Sequence, residues 1–450
     1  MATTGRMEWR TASVAHPAMY SMRKVTLSWA IRTSLALCFV TAVLQYELSS
    51  TVWIYVPLVF LGLSAVLVLC GKKRTQRMQR ILAGGGLWFT AMLFGEAVSY
   101  TSNDTYSILY GLVFLGVFLS ARLILQEIGI PNVIRAYSQA AIIVGCMILL
   151  SGRSTLLAGE GARFTGGTRA HPNLLGFLLA GFLPVIVWRA IEEKRRWRKR
   201  ALVLFSVTMF GLIFLTGSRG SLSAVLIAGI ALLARGTMYG WLQRVRVTHV
   251  LVISVLFLLP LAAAYLLASH RLEHVGSYVS DYLALNTRQR GLKSGMSGRT
   301  DIWKIAFRLL RKQERWLFGF GYRAGDRMVG TIDNGYVQLL FESGLIAGGL
   351  IFGSMVRVFL LLWKPSTPSE NNAWTRFYMV LWCLMVVYFF NNISTRYLFS
   401  FGSPFSLCVL FLMATSRREL IGYAPPHPGR TTYPALLPPT GISGWERAGG

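Results

Sequence analysis

Acidic side chains are scarce in this chain. Asp and Glu number 18 in 450 residues against 46 Lys and Arg, and charged residues of both signs make up only 14%. So few charges cannot cover the surface of a water-soluble protein of this length. The outward connections contain no Asp-x-Asp pair, so the usual carboxylate pair for a divalent metal is missing there. Cysteines are few as well. Cys38, Cys70, Cys146, Cys383 and Cys408 lie in or at the ends of apolar runs, odd in number and without metal-like spacing. Neither a disulfide nor a metal site is expected of them, and they read as buried small hydrophobes. No small-residue cleavage site follows the first apolar run, Leu27 to Tyr46, which therefore reads as a span and not as a cleavable signal.

What the chain has instead is apolar length. Hydrophobic residues reach 54% with a mean hydropathy of +0.49, gathered in runs of roughly twenty residues. Only helices satisfy their own backbone in lipid, so the fold class is an all-α polytopic membrane protein of about twelve transmembrane helices. The spans run roughly over 27–46, 51–70, 81–99, 106–124, 134–151, 173–189, 201–217, 221–235, 249–268, 336–362, 375–393 and 398–414. Residues 1–26 precede them, 269–335 form one large polar loop between the ninth and tenth, and 415–450 form a Pro-rich tail expected to be disordered. A loop that long between spans is usually functional.

The net charge of +28 suggests nucleic acid only until its placement is considered. Lys72-Lys73-Arg74, Lys194-Arg195-Arg196 and Arg198-Lys199-Arg200 fall on the same side as Arg23-Lys24 and Arg417-Arg418. The short opposite loops near 47–50 and 100–105 carry no Lys or Arg, so both termini are expected in the cytoplasm. Membrane lipid satisfies the basic runs, and no nucleic acid is called for. Arg32, Arg122 and Arg357 lie within spans near their cytoplasmic ends, where snorkelling accounts for them.

Several arginines break this pattern by falling outside. Arg153, Arg163 and Arg169 lie between spans five and six, Arg219 in the tight turn Thr216-Gly217-Ser218-Arg219-Gly220, and Arg396 just after span eleven. Arg299 and Arg323 belong to the large loop. A cation in a short external turn is topologically disfavoured and wants an anion, and the planar fork of arginine suits a phosphate. Headgroup contact at the outer leaflet is the alternative explanation. The segment 297–316 reads as an amphipathic helix, with Lys304, Arg308, Arg311 and Arg315 on one face and Ile302, Phe307, Leu309 and Leu310 as apolar positions. Such a helix suits a membrane surface. Arg299 stands at its start, where the helix dipole already favours an anion.

Candidate bases are few. His171 lies at the mouth of span six in Ala170-His171-Pro172-Asn173, and His270 and His274 begin the large loop. Asp333 precedes Asn334 and Gly335 at the start of span ten, where it is a base for a sugar hydroxyl, an N-cap, or both. Glu96 and Glu342 are acids within spans and mark a polar interior or an arginine partner.

Five short motifs occur in order: Gly166-Gly167-Thr168-Arg169-Ala170-His171-Pro172-Asn173, Leu215-Thr216-Gly217-Ser218-Arg219-Gly220, Ser297-Gly298-Arg299 with Trp303, Leu317-Phe318-Gly319-Phe320-Gly321, and Asp333-Asn334 with Gly344. Over about residues 155–350 the chain resembles the O-antigen ligase and O-antigen polymerase superfamily. The resemblance implies a class C glycosyltransferase-like membrane enzyme, inverting and metal-independent, with no cofactor, in the bacterial inner membrane. It implies a donor glycan on undecaprenyl pyrophosphate, a glycan acceptor at the periplasmic face, and a polysaccharide flippase and chain-length regulator as partners. Arg219 and Arg299 match arginines thought to hold the pyrophosphate, with Asp333 as base. Arg163, Arg169, His171, Asn173, Arg323, Asn334 and Arg396 fall to substrate binding. Ligases usually carry a histidine where this chain has Asp333, which leans towards a polymerase of O-antigen, capsule or exopolysaccharide. Two alternatives stay open: a ligase acting on lipid A-core, and a transporter, either a bicarbonate-type carrier or a lipid-linked glycan flippase. A transporter would show broken helices meeting near the midplane.

Overall fold

The computed structural model describes residues 17–44, 55–70, 86–101, 105–152, 164–165, 171–238, 299–363, 373–398, 403–416 and 419–420. Among these residues the chain is helical and forms no strand. The helices are α1 (Pro17–Leu44), α2 (Val56–Leu69), α3 (Gly86–Thr101), α4 (Thr105–Ser151), α5 (Pro172–Glu192) and α6 (Arg196–Leu215). They continue as α7 (Arg219–Met238), α8 (Arg299–Lys312), α9 (Ala324–Met328), α10 (Gly335–Trp363), α11 (Ala373–Asn391) and α12 (Pro404–Met413). Each expected span on described residues coincides with a helix. The span at 249–268, the loop residues 269–298 with His270 and His274, Arg153, Arg163, Arg169, the side chain of Glu96 and the Pro-rich tail lie outside the described residues.

Helix lengths follow local chemistry. α4 covers two of the expected spans, and its backbone turns between them at Gly129 (φ 71°, ψ 166°), two residues before Pro131. By length and composition, Thr26–Leu44, Ser107–Ser151, Pro172–Glu192 and Gly335–Trp363 can cross a membrane. α2 and α12 are shorter than their apolar runs suggest, at 14 and 10 residues. At 1.5 Å per residue they rise about 21 and 15 Å, less than the ~30 Å hydrocarbon core. Proline in the first turn, Pro57 and Pro404, sets where each begins.

The core is a chain of interlocked aromatics. Phe39 of α1 meets Tyr137 of α4 at 5.2 Å between ring centroids, and Tyr137 meets Phe182 of α5 at 5.5 Å. Phe177 of α5 lies 5.0 Å from Phe405 of α12, which lies 5.3 Å from Tyr388 of α11. All of these side chains are fully buried. Leu109, Leu112, Ile143, Leu150, Leu204 and Ile230 instead face outward, as expected of helices that meet lipid. Cys38, Cys383 and Cys408 are buried, but Cys70 and Cys146 are exposed, contrary to expectation. Cys146 shares the outward face of α4 with Ile143 and Leu150, so its environment is apolar without being the core.

Arginines finish helices at one end of the bundle. Arg122, 1% exposed, donates to the Ala414 carbonyl at 2.6 Å and pairs with Glu419 at 2.7 Å. It does not snorkel; it closes the end of α12. Arg235 of α7 donates to the Leu362 and Trp363 carbonyls at 2.8 and 3.0 Å, packed against the rings of Trp363 and Trp382.

Span ten is not one helix. At Gly344 (φ 64°, ψ −173°) α10 breaks into 335–343 and 345–363. The second part alone rises about 28 Å, enough to cross. The first part is freed for the site, with the Trp316–Gly321 segment docked into the break. Phe320 N and Gly321 N donate to the Phe341 and Glu342 carbonyls at 3.0 and 2.9 Å. Leu345 N and Ile346 N donate to the Trp316 and Leu317 carbonyls at 2.8 and 3.1 Å. A Cβ on Gly344 would lie 2.4 Å from the Leu317 carbonyl oxygen, and one on Gly319 (φ +72°) 2.5 Å from that of Glu342. Gly319→Ala and Gly344→Ala each combine a left-handed backbone with backbone overlap. Each should destabilise the protein by more than about 2 kcal/mol, read as a lower unfolding midpoint in detergent with reduced yield. Wild-type stability in both variants would mean the interlock is loose.

Candidate active site

The helix starts at the other end of the bundle collect the candidate residues. α5, α7, α8 and α10 begin at or beside His171, Arg219, Arg299 and Asp333, so each brings the positive end of its dipole. α5 and α7 are joined by contact. A Cβ on Gly176 of α5 would meet the Ser218 Cβ at 2.6 Å and the Ser221 Oγ at 3.0 Å.

α8 does not lie on the membrane as an isolated amphipathic helix. Its Ala306 and Leu310 are buried against Ala324, Ile332 and Phe341 in a second small core, with Phe320 packed on Phe341 at 4.7 Å. Lys304, Arg308 and Arg311 remain exposed as expected, whereas Phe307 turns outward and stacks on Trp316 at 5.9 Å. This second core sets the position of Arg299 relative to α10.

Asp333 is not the cap of α10. Asn334 is: its side-chain oxygen accepts the backbone N–H of Tyr336 and of Val337, both at 3.0 Å. The Asp333 carboxylate faces Arg299 instead, Oδ2 to Nε 3.3 Å, and retains 36% of its side-chain exposure, so it is reachable. Arg299 also donates through Nη1 to the Ser394 carbonyl at 3.2 Å. The Asp333 charge extends to Tyr397. Burial pushes that hydroxyl up, Arg396 opposes the shift and Asp333 reinforces it, so Tyr397 is a neutral hydrogen-bonding phenol at neutral pH.

The remaining residues expected at the site divide. His171 is exposed and caps α5, its Nδ1 accepting Asn173 N at 3.2 Å. Asn173 enters this cap through its backbone. Arg323 and Arg396 are held by an internal carboxylate that sequence reasoning missed, Asp326, with Nη2–Oδ2 2.6 Å and Nη1–Oδ1 3.0 Å. Arg396 also donates to Thr331 at 3.3 Å, and Arg323 lies over the Tyr110 ring. The (i, i+3) spacing of Arg323 and Asp326 was the available signal. Glu342 is buried: Gln338 donates to it at 3.0 Å, as does the Arg323 backbone, and the Arg323 charge acts on it as well. Also unforeseen was the turn after α11. Asn391, Asn392 and Thr395 are buried there, and Ser221 Oγ donates to Asn391 Oδ1 at 3.2 Å.

Residues 204–352 match the family described as O-antigen ligase. The chain carries this domain over about a third of its length, and the resemblance to the ligase and polymerase superfamily holds. The O-antigen ligase match takes in Arg219, Arg299, Arg323, Asp333 and Asn334 and stops before the turn that follows α11. No curated protein matches the chain. A membrane enzyme of ligase or polymerase type is the activity this domain supports.

The cap assignment makes a separable prediction. Asn334→Ala should cost about 1 kcal/mol of stability, the usual worth of an N-cap, while Asp333→Asn should leave the unfolding midpoint near wild type. The reverse order in thermal unfolding would return the capping role to Asp333.

Proposed function

We propose that the protein is a periplasmic-face polysaccharide polymerase, transferring a glycan from undecaprenyl pyrophosphate to an acceptor sugar by a single inverting displacement. The observation that carries this reading is the Asp333 carboxylate, free of capping duty, partly exposed, and paired with Arg299 at the start of a helix. Asp333 takes the proton from the acceptor hydroxyl while that oxygen attacks the anomeric carbon. The bond from that carbon to the pyrophosphate oxygen breaks, and its electron pair leaves on the phosphate. Arg219 and Arg299, each the first residue of its helix, meet the developing charge together with the helix dipoles. In this reading two arginines supply the charge compensation that a divalent metal supplies elsewhere. Since Arg299 touches both the base and the anion side, donor binding and proton transfer share one guanidinium. The acid at position 333 favours a polymerase over a lipid A-core ligase, in line with the resemblance.

The transporter alternative asked for broken helices at the midplane. α10 is broken, but near one end, and the Trp316–Gly321 backbone closes the break. That arrangement favours an enzyme with a docked loop.

The chemistry is tested on three variants assayed with lipid-linked oligosaccharide. Asp333→Asn should fold, bind donor and transfer glycan at least ~100-fold more slowly, the scale of general-base catalysis. Arg219→Lys and Arg299→Lys should lose most activity at normal expression, because a point charge does not reproduce a bidentate fork. Turnover near wild type in Asp333→Asn would move the search for a base to His171. Topology is checked separately. In a cysteine-less background, cysteines at positions 196 and 312 should label from the cytoplasm and the periplasm respectively, and the opposite pattern would overturn the orientation.

A further inference from the structure

The three groups of the proposed reaction arrive on separate stretches of chain, and one short turn touches all three stretches. It follows α11 and runs from Asn391 to Ser394. Arg299 Nη1 donates to the Ser394 carbonyl at 3.2 Å. Gly335 N, two residues after Asp333, donates to the Asn392 carbonyl at 2.8 Å. Ser221 Oγ, two residues after Arg219, donates to Asn391 Oδ1 at 3.2 Å. Gly220 abuts the same turn so closely that an added Cβ would lie 1.7 Å from Ser394 Oγ and 2.7 Å from Ser394 Cβ. The turn is itself fixed: the Asn391 carbonyl accepts from Ser394 N at 3.0 Å, Ser394 Oγ at 3.1 Å and Thr395 Oγ1 at 3.0 Å.

We propose that the Asn391–Ser394 turn is the positioning element of the transfer, holding Arg219, Arg299 and Asp333 in one frame without itself touching substrate. The inference rests on the glycosyl-transfer reading of those three groups. Stability alone is a poor account of the turn. Asn391 and Asn392 are fully buried, yet Asn391 Nδ2 and Asn392 Oδ1 find no hydrogen-bond partner among the described residues. An unpaired buried polar atom opposes folding, and apolar side chains of similar size would avoid it. What the carboxamides and their carbonyls provide is register between the starts of α7, α8 and α10. Register matters because a misplacement of about 1 Å can slow a reaction on the order of 100-fold.

The test uses the purified full chain with lipid-linked oligosaccharide, extracted from cells deleted for this protein, as donor and acceptor. Gly220→Ala forces the turn away from α7, so kcat should fall at least ~30-fold while KM for the donor moves by less than about threefold. Gly220→Ala/Ser394→Gly restores the space and should recover most of the loss. Wild-type kcat in Gly220→Ala, or no recovery in the double variant, overturns the proposal. Should Gly220→Ala fail to fold, Ser221→Ala and Asn391→Ala take its place. Both remove the Ser221–Asn391 bond, so each should lower kcat and the double variant should be no slower than the worse single. Additive losses or unchanged rates would overturn it equally. Lysine variants at 219 and 299 run alongside. If they turn over normally, the glycosyl-transfer reading itself fails; if they are inactive while Gly220→Ala is normal, only the turn's role falls.

Discussion

At Gly344 a membrane helix stops and restarts, and the backbone groups bared by that break are taken up by another piece of backbone. The Trp316–Gly321 segment inserts its carbonyls and N–H groups into the gap, and Gly319 and Gly344 lie too close for side chains on either. Much of the site follows from this joint. It fixes the second small core on α10 and so brings α8, with Arg299 at its first residue, beside Asp333. It also releases 335–343 from the spanning helix, which lets a short segment capped by Asn334 present Asp333 at the end of the bundle. In an unbroken α10, Asp333 would lie about 16 Å from position 344 along one continuous rod, with nothing to hold the loop.

Carboxylates are few, and two of those at this face are matched to arginines. Asp326 takes Arg323 and Arg396 on its two oxygens, while Asp333 takes Arg299 on one and remains partly exposed. The first arrangement spends its cations on structure. The second leaves a charged oxygen accessible beside a guanidinium with further donors, as a base working next to a phosphate site requires.

Helix positions were largely legible in the sequence because lipid permits little else: runs of apolar residues near twenty must become helices. The break at Gly344 was not, since Leu345, Ile346 and Ala347 continue the hydropathy without pause and a positive φ leaves no mark on it. The motifs Leu317-Phe318-Gly319 and Asp333-Asn334 with Gly344 pointed to the site, though their glycines serve the interlock and Asn334 serves the cap. Arg219, Arg299 and Asp333 stand out in the sequence through the expected topology and helix starts. The pairing of Arg396 with Asp326 was not legible, because the two lie 70 residues apart in the chain. The turn at Asn391 escaped notice for a related reason. It acts through carbonyls and a carboxamide, and backbone groups carry no residue signature.

The two ends of α7 show where stability was set aside. Arg235, in its last turn, sits where the dipole is negative and donates to the final carbonyls of α10, a placement that favours folding. Arg219, the first residue of the same helix, sits where the dipole is positive and gains nothing from it. α8 repeats the contrast, with Asp301 in its first turn and Arg311 and Lys312 in its last, all favourable, and Arg299 at its start against the trend. Each misplaced cation costs about 0.3–1 kcal/mol. Two such costs, at helix starts that both reach the Asn391–Ser394 turn, fit the proposed anion site. In the proposed reading, a bound pyrophosphate would turn the repulsion between arginine and dipole into shared attraction.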